Sequence, residues 1–101
     1  MFQKVCIIGC GLIGSSIART IKKKNLSSKI VSSNRSDSIN KKVIELKIVD
    51  DSNSDTKKMV EESDLIIIAT PLSSYEDVIL KIKDSLKNGS ILTDVGSVKE
   101  N

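Results

Sequence analysis

The sequence predicts an α/β fold, a doubly wound parallel β-sheet with helices packed on both of its faces. Short apolar segments typical of buried strands alternate along the 101 residues with longer segments whose apolar residues recur every three or four positions. A glycine-rich turn over residues 9–14 joins the first such strand to the first helix. Strands that alternate with helices form parallel sheets, because each helix carries the chain back to the edge where the next strand begins.

The first two strands are predicted over residues 4–8 and 29–33, with a helix over residues 12–24 between them. Residues 4–8 are almost continuously apolar, as expected for a parallel strand that is buried on both faces. The helix places three isoleucines on one face at intervals of four residues, and these are Ile13, Ile17 and Ile21.

The middle of the chain is predicted to form a second helix, a short third strand and a brief third helix. Ser36 or Asp37 caps the second helix. The inner face of that helix is formed by Ile39, Val43 and Leu46. Residues 48–49 are expected to form the third strand, residues 51–54 to be the least ordered stretch, and residues 57–62 to form the third helix.

The last two strands are predicted over residues 65–69 and 90–94. Pro71 ends the earlier of the two, because proline cannot continue a central strand. Ser73 or Ser74 caps the helix between them. The inner face of this fourth helix is formed by Tyr75, Val78, Ile79, Ile82 and Leu86.

Three glycines of the turn follow the G-x-G-x-x-G pattern that binds the pyrophosphate of a dinucleotide. Gly9 allows a tight turn, Gly11 lets the backbone approach the pyrophosphate, and Gly14 lets the helix pack close to the strand. Leu12 and Ile13 lie between them at the start of the helix, whose positive dipole end would face the phosphates. The alternative is an ordinary glycine turn between a strand and a helix, but the apolar strand before it and the amphipathic helix after it favour a nucleotide site.

The whole chain, residues 1–101, is predicted to be one NAD(P)-binding domain of the Rossmann type. Neither a linker nor an internal repeat divides it. The chain stops seven residues after the predicted fifth strand, which is short for a unit built from two βαβαβ halves. We therefore expect a fragment that is truncated after about the fifth strand.

The end of the second strand selects the cofactor in this fold. In members that bind NAD, an acidic residue about 20 positions past the last glycine accepts hydrogen bonds from the ribose 2′-hydroxyl. Here that position is Asn34, and Arg35 and Ser36 follow it. A carboxylate would repel a 2′-phosphate, whereas the positively charged guanidinium of Arg35 and the neutral hydrogen-bond donors of its neighbours could bind one. The sequence therefore favours NADP over NAD; the alternative is that Arg35 faces solvent or stacks on the adenine without discriminating between the two.

Composition excludes several other classes of function. The net charge of +3 comes from scattered Lys and Arg residues, and only Phe2 and Tyr75 are aromatic, so a nucleic-acid-binding surface is not expected. No apolar run approaches the roughly 18 residues of a membrane span, and no signal peptide is evident, so we expect a cytoplasmic location. The chain has no His and two Cys, which predicts no metal site. Cys6 is expected to pack as a small apolar side chain, and Cys10 lies in the glycine turn.

Three segments together resemble the prephenate and arogenate dehydrogenases. They are residues 9–16, residues 69–71 and, as the most specific of the three, residues 93–99 with the sequence Thr-Asp-Val-Gly-Ser-Val-Lys. The resemblance spans the whole chain. It implies hydride transfer from prephenate or arogenate to a nicotinamide, with loss of carbon dioxide and aromatisation of the ring, in tyrosine biosynthesis. It also implies that Ser97 lies near the nicotinamide and orients the substrate and the catalytic base.

The same resemblance implies that Thr70 and Pro71 line the cofactor cleft. The family uses a histidine after the Ser97 motif to take the proton from the ring hydroxyl, and a helical dimerisation domain closes its active site. Because this chain has no His, we expect the base and that domain to lie outside it, and the full-length protein to be a homodimer through that domain. The 101 residues alone are expected to bind the cofactor weakly and to catalyse no measurable reaction.

The sequence leaves two other functions open. One is the NADP-binding domain of a β-hydroxyacid or phosphogluconate dehydrogenase, where a similar end of the second strand occurs, although residues 93–99 argue against it. The other is a nucleotide-binding module without hydride chemistry, since fold does not fix function. The choice between prephenate and arogenate also stays open, because the groups that read the substrate side chain are expected outside the chain.

Overall fold

The computed structural model describes residues 2–9, 11–70 and 74–94, which form a parallel sheet with helices on both faces. The strands are β1 (Val5–Ile8), β2 (Ile30–Ser33), β3 (Asp51–Asn53), β4 (Leu65–Ile68) and β5 (Ile91–Asp94). The helices are α1 (Leu12–Lys23), α2 (Asp37–Glu45), α3 (Thr56–Val60) and α4 (Tyr75–Ile82), which a 3₁₀ turn over Lys83–Ser85 extends. The strand order is β3-β2-β1-β4-β5, and every neighbouring pair is parallel. The predicted doubly wound α/β fold is confirmed.

The order in which strands are added to the sheet reverses between β1 and β4. β2 and β3 lie on one side of β1, and β4 and β5 lie on its other side. Such a switch point leaves a crevice outside the carboxyl ends of the central strands, where ligands bind in open α/β sheets. Ile8, the last residue of β1, lies in register with Ser33 and Ile68, the last residues of its two neighbours. The segments that follow these three strands therefore emerge at the same level.

The sheet separates two apolar clusters, because alternate strand residues point to opposite faces. One cluster packs the sheet against α1 and α2, and its buried members are Val5, Ile7, Ala18, Ile21, Ile30, Val43, Ile48, Val49 and Ile67. The other packs it against α3 and α4, and its buried members are Cys6, Ile8, Val31, Met59, Val60, Ile66, Ile68 and Ile82. Cys6 thus packs as an apolar side chain, as predicted, and burial raises the pKa of its thiol to about 12.

The predicted inner face of α4 is confirmed, and that of α1 is confirmed in part. Ile82 is fully buried. The other predicted residues pack partly against the same cluster, and these are Tyr75, Val78, Ile79 and Leu86. On α1, Ile21 is buried and Ile17 packs partly against the core, but Ile13 is 49% exposed. Ile13 stands in the first turn of α1, at the edge where the strands end, so the core does not reach it.

The predicted inner face of α2 is mostly wrong. Val43 is buried, but Ile39 and Leu46 are 41% and 55% exposed. Asn40, three residues before Val43 on the helix, is buried instead. It fits there because its amide is hydrogen-bonded to Asn34 and to a serine of β3. A polar network therefore takes the place of part of the expected apolar face.

The predicted third strand is also wrong. Ile48 and Val49 are buried, but they lie in the turn after α2, where both of their backbone N–H groups donate to the Val43 carbonyl. The strand is instead Asp51–Asn53, within the stretch that was expected to be least ordered, and it pairs in register with β2. A polar strand is stable there because it is at the edge of the sheet, with its outer residues exposed and only Ser52 buried.

Asp64 joins the amino-terminal ends of β1, β4 and β5, at the edge opposite the crevice. Its carboxylate accepts hydrogen bonds from the N–H groups of Gln3 and Lys4, at 2.5 and 3.3 Å, and forms an ion pair with Lys87. Its carbonyl accepts a hydrogen bond from the N–H of Ile91. The hydrogen bonds from Lys87 and Gln3 hold the pKa of Asp64 below its ordinary value.

Candidate dinucleotide-binding site

The glycine turn leaves β1 through Gly9, whose φ is +85°. A Cβ added at Gly9 would lie 2.8 Å from Cγ2 of Thr70, so space as well as φ excludes a side chain. The Gly9 N–H donates to the Ser33 carbonyl at 2.8 Å, and the Gly11 N–H donates to the Gly9 carbonyl at 2.9 Å. The turn is thereby held between the ends of β1, β2 and β4, and the predicted tight turn at Gly9 is confirmed.

Gly14 and Gly11 differ in what surrounds them. A Cβ on Gly14 would lie 2.8 Å from the Gly9 carbonyl oxygen and 3.3 Å from Cγ2 of Ile7, so the predicted close packing of α1 on β1 requires this glycine. Around Gly11, no atom of the described residues lies within 4 Å of such a Cβ. Gly11 is the N-cap of α1, whose first turn carries no acidic residue. The positive end of the helix dipole therefore lies at an open surface, as phosphate binding requires.

A cleft of about 660 Å³ opens beside the turn, at the carboxyl ends of β1, β2 and β4. Its volume lies within the range of about 300–1,000 Å³ that is usual for ligand pockets. Five of the predicted cofactor-binding residues line it, and these are Gly9, Asn34, Arg35, Ser36 and Thr70. Four others form the adjoining turn and the start of α1, and these are Gly11, Leu12, Ile13 and Gly14. Folding therefore brings the turn and the end of β2 to one site.

The three predicted residues after β2 differ in what their side chains contact. Ser36 is the N-cap of α2, and its Oγ accepts a hydrogen bond from the Ile39 N–H at 3.4 Å. Asn34 is buried, and its Nδ2 donates to Oδ1 of Asn40 at 3.0 Å. The expectation that this amide donates to a 2′-phosphate is not supported, because its N–H groups are used inside the protein. Arg35 is exposed and lines the cleft, so it is the residue of the three that offers a charge there.

Thr70 follows β4 on the other side of the turn. Its Oγ1 is buried, and it has no hydrogen-bond partner among residues 2–9, 11–70 and 74–94. A buried hydroxyl in that state costs about 1–3 kcal/mol, so a ligand atom that reached it would gain a hydrogen bond. Thr70 therefore fits the cleft role that the resemblance implies. Pro71, Ser97 and Cys10 lie outside the described residues, and what was expected of them stays a prediction.

Sequence reasoning missed the walls of the cleft that lie beyond the turn and the end of β2. The residues there are Ile39, Ser54, Thr56, Ser74, Asp77, Val78, Leu80 and Lys81. Leu80 carried a signal, because it falls outside the predicted inner face of α4 and is 63% exposed. Ile39 was expected in the core and lines the cleft instead. Exposed apolar side chains that line a concave surface are typical of ligand-binding sites.

The lining residues that the structure describes carry two cations and one carboxylate. Asp77 and Lys81 are one turn apart on α4, where opposite charges at positions i and i+4 attract each other. Arg35 stands on the opposite wall, after β2. The net positive charge of the cleft, which favours an anionic ligand, therefore comes from Arg35.

A hydrogen bond between Tyr75 and Asp94 joins the start of α4 to the end of β5, and it raises the pKa of the Tyr75 hydroxyl. Asp94 belongs to the motif over residues 93–99. The first two residues of that motif end β5, at the same edge of the sheet as the glycine turn. The motif therefore begins at the ligand-binding edge of the sheet.

The described part of the chain offers no group of three or more His, Cys, Asp or Glu side chains that could hold a metal ion. Within the same residues, no helix combines the length and the apolar character needed to cross a membrane. α1, for example, has 12 residues, whereas a spanning helix needs about 20.

Comparison with known proteins identifies the family. A family model described as prephenate dehydrogenase, nucleotide-binding domain, matches residues 17–101. The chain is 39% identical over 98 residues to a prephenate dehydrogenase of Lactococcus lactis subsp. cremoris. The alignment covers 96% of this chain and 27% of that protein.

Two solved structures have closely similar folds. One is the prephenate dehydrogenase of A. aeolicus in complex with hydroxyphenyl propionate and NAD+, with a TM-score of 0.85 and 21% sequence identity. The alignment covers 93% of this chain and 33% of that one. The other is the arogenate dehydrogenase of Synechocystis, with a TM-score of 0.84 and 25% sequence identity. The alignment covers 91% of this chain and 32% of that one. The chain thus spans about a third or less of the length of these proteins. It belongs to the family of prephenate dehydrogenase nucleotide-binding domains.

Proposed function

We propose that this chain binds NADP as the nucleotide-binding domain of a dehydrogenase that oxidises prephenate or arogenate. The observation that carries the proposal is the glycine turn at the switch point of the sheet, with open space at Gly11 and a cleft of about 660 Å³ beside it. The family match supports the dehydrogenase assignment. It disfavours the β-hydroxyacid and phosphogluconate dehydrogenases as well as a module without hydride chemistry.

The residues present fit a bound dinucleotide. The pyrophosphate would lie over Gly11 at the amino terminus of α1, where Gly9 and Gly14 keep the turn free of side chains. The adenosine would occupy the cleft, whose apolar walls include Ile39 and Leu80. Oγ1 of Thr70, which has no hydrogen-bond partner among the described residues, provides a hydrogen-bonding group at the same edge.

The chemistry is an oxidative decarboxylation. A nicotinamide held at this site would supply the hydride acceptor, so that the substrate ring would lose a hydride and carbon dioxide and become aromatic. Within this chain, the residues bind and orient the cofactor, and Ser97 orients the substrate as the resemblance implies. The chain contains no His, so the group that takes the proton from the ring hydroxyl is proposed to lie in the rest of a longer protein. The helical domain of that protein would make it a homodimer.

The preference for NADP rests on Arg35. It is exposed at the cleft, and position 34 carries an amide in place of the carboxylate that would repel a 2′-phosphate. One carboxylate, Asp77, does line the cleft, but Lys81 stands one turn away on the same helix. Among the residues lining the cleft, the carboxylate thus lies on α4, on the wall opposite Arg35.

Titration of the chain with NADP+ and NAD+ tests the preference, with Arg35→Ala beside the unchanged protein. Because a charge-assisted hydrogen bond contributes about 1.5–3 kcal/mol, we expect Arg35→Ala to weaken NADP+ binding about tenfold or more. NAD+ binding should change little. Lys24→Ala, which removes an exposed cation at the far end of α1, is the matched control for net charge. Tighter binding of NAD+ than of NADP+ would contradict the preference.

Turnover tests the dehydrogenase assignment. A longer protein that contains this chain and a downstream histidine is expected to reduce the cofactor with prephenate or with arogenate and to release carbon dioxide. The 101 residues alone are expected to show no turnover. Turnover by the short chain would show that its own residues supply the base, and the absence of turnover with either substrate in the longer protein would refute the assignment.

A further inference from the structure

A buried polar network joins α2, β2 and β3 directly behind the turn that carries Arg35. Four side chains form it, each at most 8% exposed, and these are Ser32, Asn34, Asn40 and Ser52. Buried polar groups are nearly always hydrogen-bonded, because an unpaired one destabilises the fold. The hydrogen bonds of this network therefore determine how each of its side chains is oriented.

The number of protons on each side chain sets the direction of its hydrogen bonds. Oγ of Ser52 donates to Oδ1 of Asn40 at 2.5 Å, and Nδ2 of Asn34 donates to the same oxygen at 3.0 Å. Since the single hydroxyl proton of Ser52 is used there, Ser32 is the donor in its 2.6 Å contact with Ser52. Both lone pairs of Oδ1 are thus filled. A flipped Asn40 amide would set its Nδ2 against Nδ2 of Asn34, donor against donor.

Asn40 also holds the backbone on both sides of Arg35. Its Nδ2 donates to the Asn34 carbonyl at 3.1 Å, and its backbone N–H donates to the Ser36 carbonyl at 3.1 Å. The Arg35 side chain is long and exposed, so the direction in which it enters the cleft depends on this backbone. The Asn40 side chain therefore fixes the backbone before Arg35, and its main chain fixes the backbone after it.

The network accepts an amide at position 34 and disfavours a carboxylate. Nδ2 of Asn34 has two protons, and its contacts at 3.0, 3.4 and 3.5 Å all point to acceptors inside the protein. A carboxylate oxygen in the same place would face Oδ1 of Asn40, acceptor against acceptor. An acidic residue of the type that accepts from a ribose 2′-hydroxyl is thus unfavourable at this position.

We propose that Asn40 is a positioning residue for cofactor selectivity. It keeps the Asn34 amide turned into the protein and holds Arg35 at the cleft, where a 2′-phosphate would bind. Asn40 lies behind the wall and contacts the site only through its neighbours. The inference rests on the proposed preference for NADP and adds a residue to it that the turn motif does not contain.

The test compares Asn40→Ala with Val43→Ala in the full chain, by measuring the dissociation constants of NADP+ and NAD+ and the melting temperature of each variant. Val43 is buried in the apolar core three residues further along α2, so its truncation destabilises the same helix without touching the network. Asn40→Ala is expected to weaken NADP+ binding about tenfold and NAD+ binding less than about twofold, since misplacing Arg35 removes a charge-assisted contact. Val43→Ala should lower the melting temperature and leave the ratio of the two constants unchanged.

Ser52→Ala provides a second measurement if Asn40→Ala does not fold. It removes one of the two donors to Oδ1 of Asn40 and should reduce the selectivity in the same direction by a smaller factor. A folded variant at either position that keeps the selectivity of the unchanged protein, or that weakens both cofactors equally, would overturn the proposal.

Arg35→Ala separates this inference from the function on which it rests. If Arg35→Ala abolishes the preference for NADP+ and Asn40→Ala does not, the positioning role is wrong and the proposed cofactor preference stands. If the unchanged protein binds both cofactors equally, the cofactor preference is wrong and the positioning role fails with it. If both variants lose the preference while Val43→Ala retains it, both proposals are supported.

Discussion

Replacing Gly11 with alanine is expected to weaken dinucleotide binding and to leave the fold stable, whereas replacing Gly14 is expected to destabilise the fold. The two glycines are three residues apart in the same motif, and the same methyl group is added in both variants. They differ in their surroundings, because Gly11 faces open space and Gly14 faces the backbone of the turn. The pair therefore separates a glycine required by a ligand from one required by packing.

Gly11 has a φ of −87°, so alanine meets no left-handed strain there. Alanine is a poorer N-cap than glycine by up to about 1 kcal/mol, and the stiffer unfolded chain offsets about 0.4–1 kcal/mol of that. The free energy of unfolding should thus change by no more than about 1 kcal/mol.

At Gly14 the added methyl group would lie 2.8 Å from the Gly9 carbonyl oxygen, a backbone atom that cannot rotate away. Overpacking of this kind costs about 1–3 kcal/mol, and the better helix propensity of alanine offsets about 1 kcal/mol. Because the obstructing atom belongs to the backbone, the cost should lie in the upper part of this range, at about 2–3 kcal/mol, and we expect a net loss of about 1–2 kcal/mol in the free energy of unfolding.

Urea unfolding measures the stability of both variants, and titration with NADP+ measures binding. At Gly11 the methyl group would occupy the space through which the pyrophosphate approaches, so we expect a loss of about tenfold in affinity, or about 1.4 kcal/mol. Wild-type affinity in Gly11→Ala would refute the placement of the pyrophosphate. Wild-type stability in Gly14→Ala would refute the packing argument.

Three further predictions concern stability and reactivity. Ile82→Ala, which truncates a fully buried side chain, should lower the free energy of unfolding in urea by about 2–5 kcal/mol. Leu80→Ala, at a residue 63% exposed on the same helix, should change it by no more than about 0.5 kcal/mol. Equal effects would contradict the assigned difference in burial. Because folding lowers the pKa of Asp64, its carboxylate stabilises the native state above the ordinary value of 3.8, and this contribution is lost as the pH falls through the folded pKa. As the pH is lowered, the melting temperature of Asp64→Asn should therefore fall less than that of the unchanged protein. An equal fall in both proteins would contradict this role of Asp64. With Cys10 replaced by serine, the thiol of Cys6 should react with a thiol reagent at neutral pH only as the protein unfolds, since burial raises its pKa to about 12; rapid labelling of the folded protein would disprove this.

Local sequence signals were sufficient for the parts of the fold whose partners are apolar. The continuous apolar runs predicted β1 and β4, and the helical spacing predicted the inner face of α4. Such residues need only be buried, and any apolar neighbour can bury them. They were insufficient for β3. Nothing within Asp51–Asn53 favours a strand, and the segment is stabilised by pairing with β2 and by the contact of Ser52 with a serine some 20 residues earlier in the chain.

The sequence by itself determined the class of fold, the class of ligand and the positions of the three glycines. The glycine motif spans six residues, and each of its glycines is required for a local steric reason. Only the tertiary structure decided what the residues after β2 do. The chemistry of Asn34 alone permits donation to a ribose phosphate or into the protein. Its partners on α2 and β3 are 6 and 18 residues away, and they meet it only once both elements have packed against β2. Hydrogen bonds between such distant groups depend on tertiary packing, so the spacing of residues along the chain cannot reveal which way the amide turns.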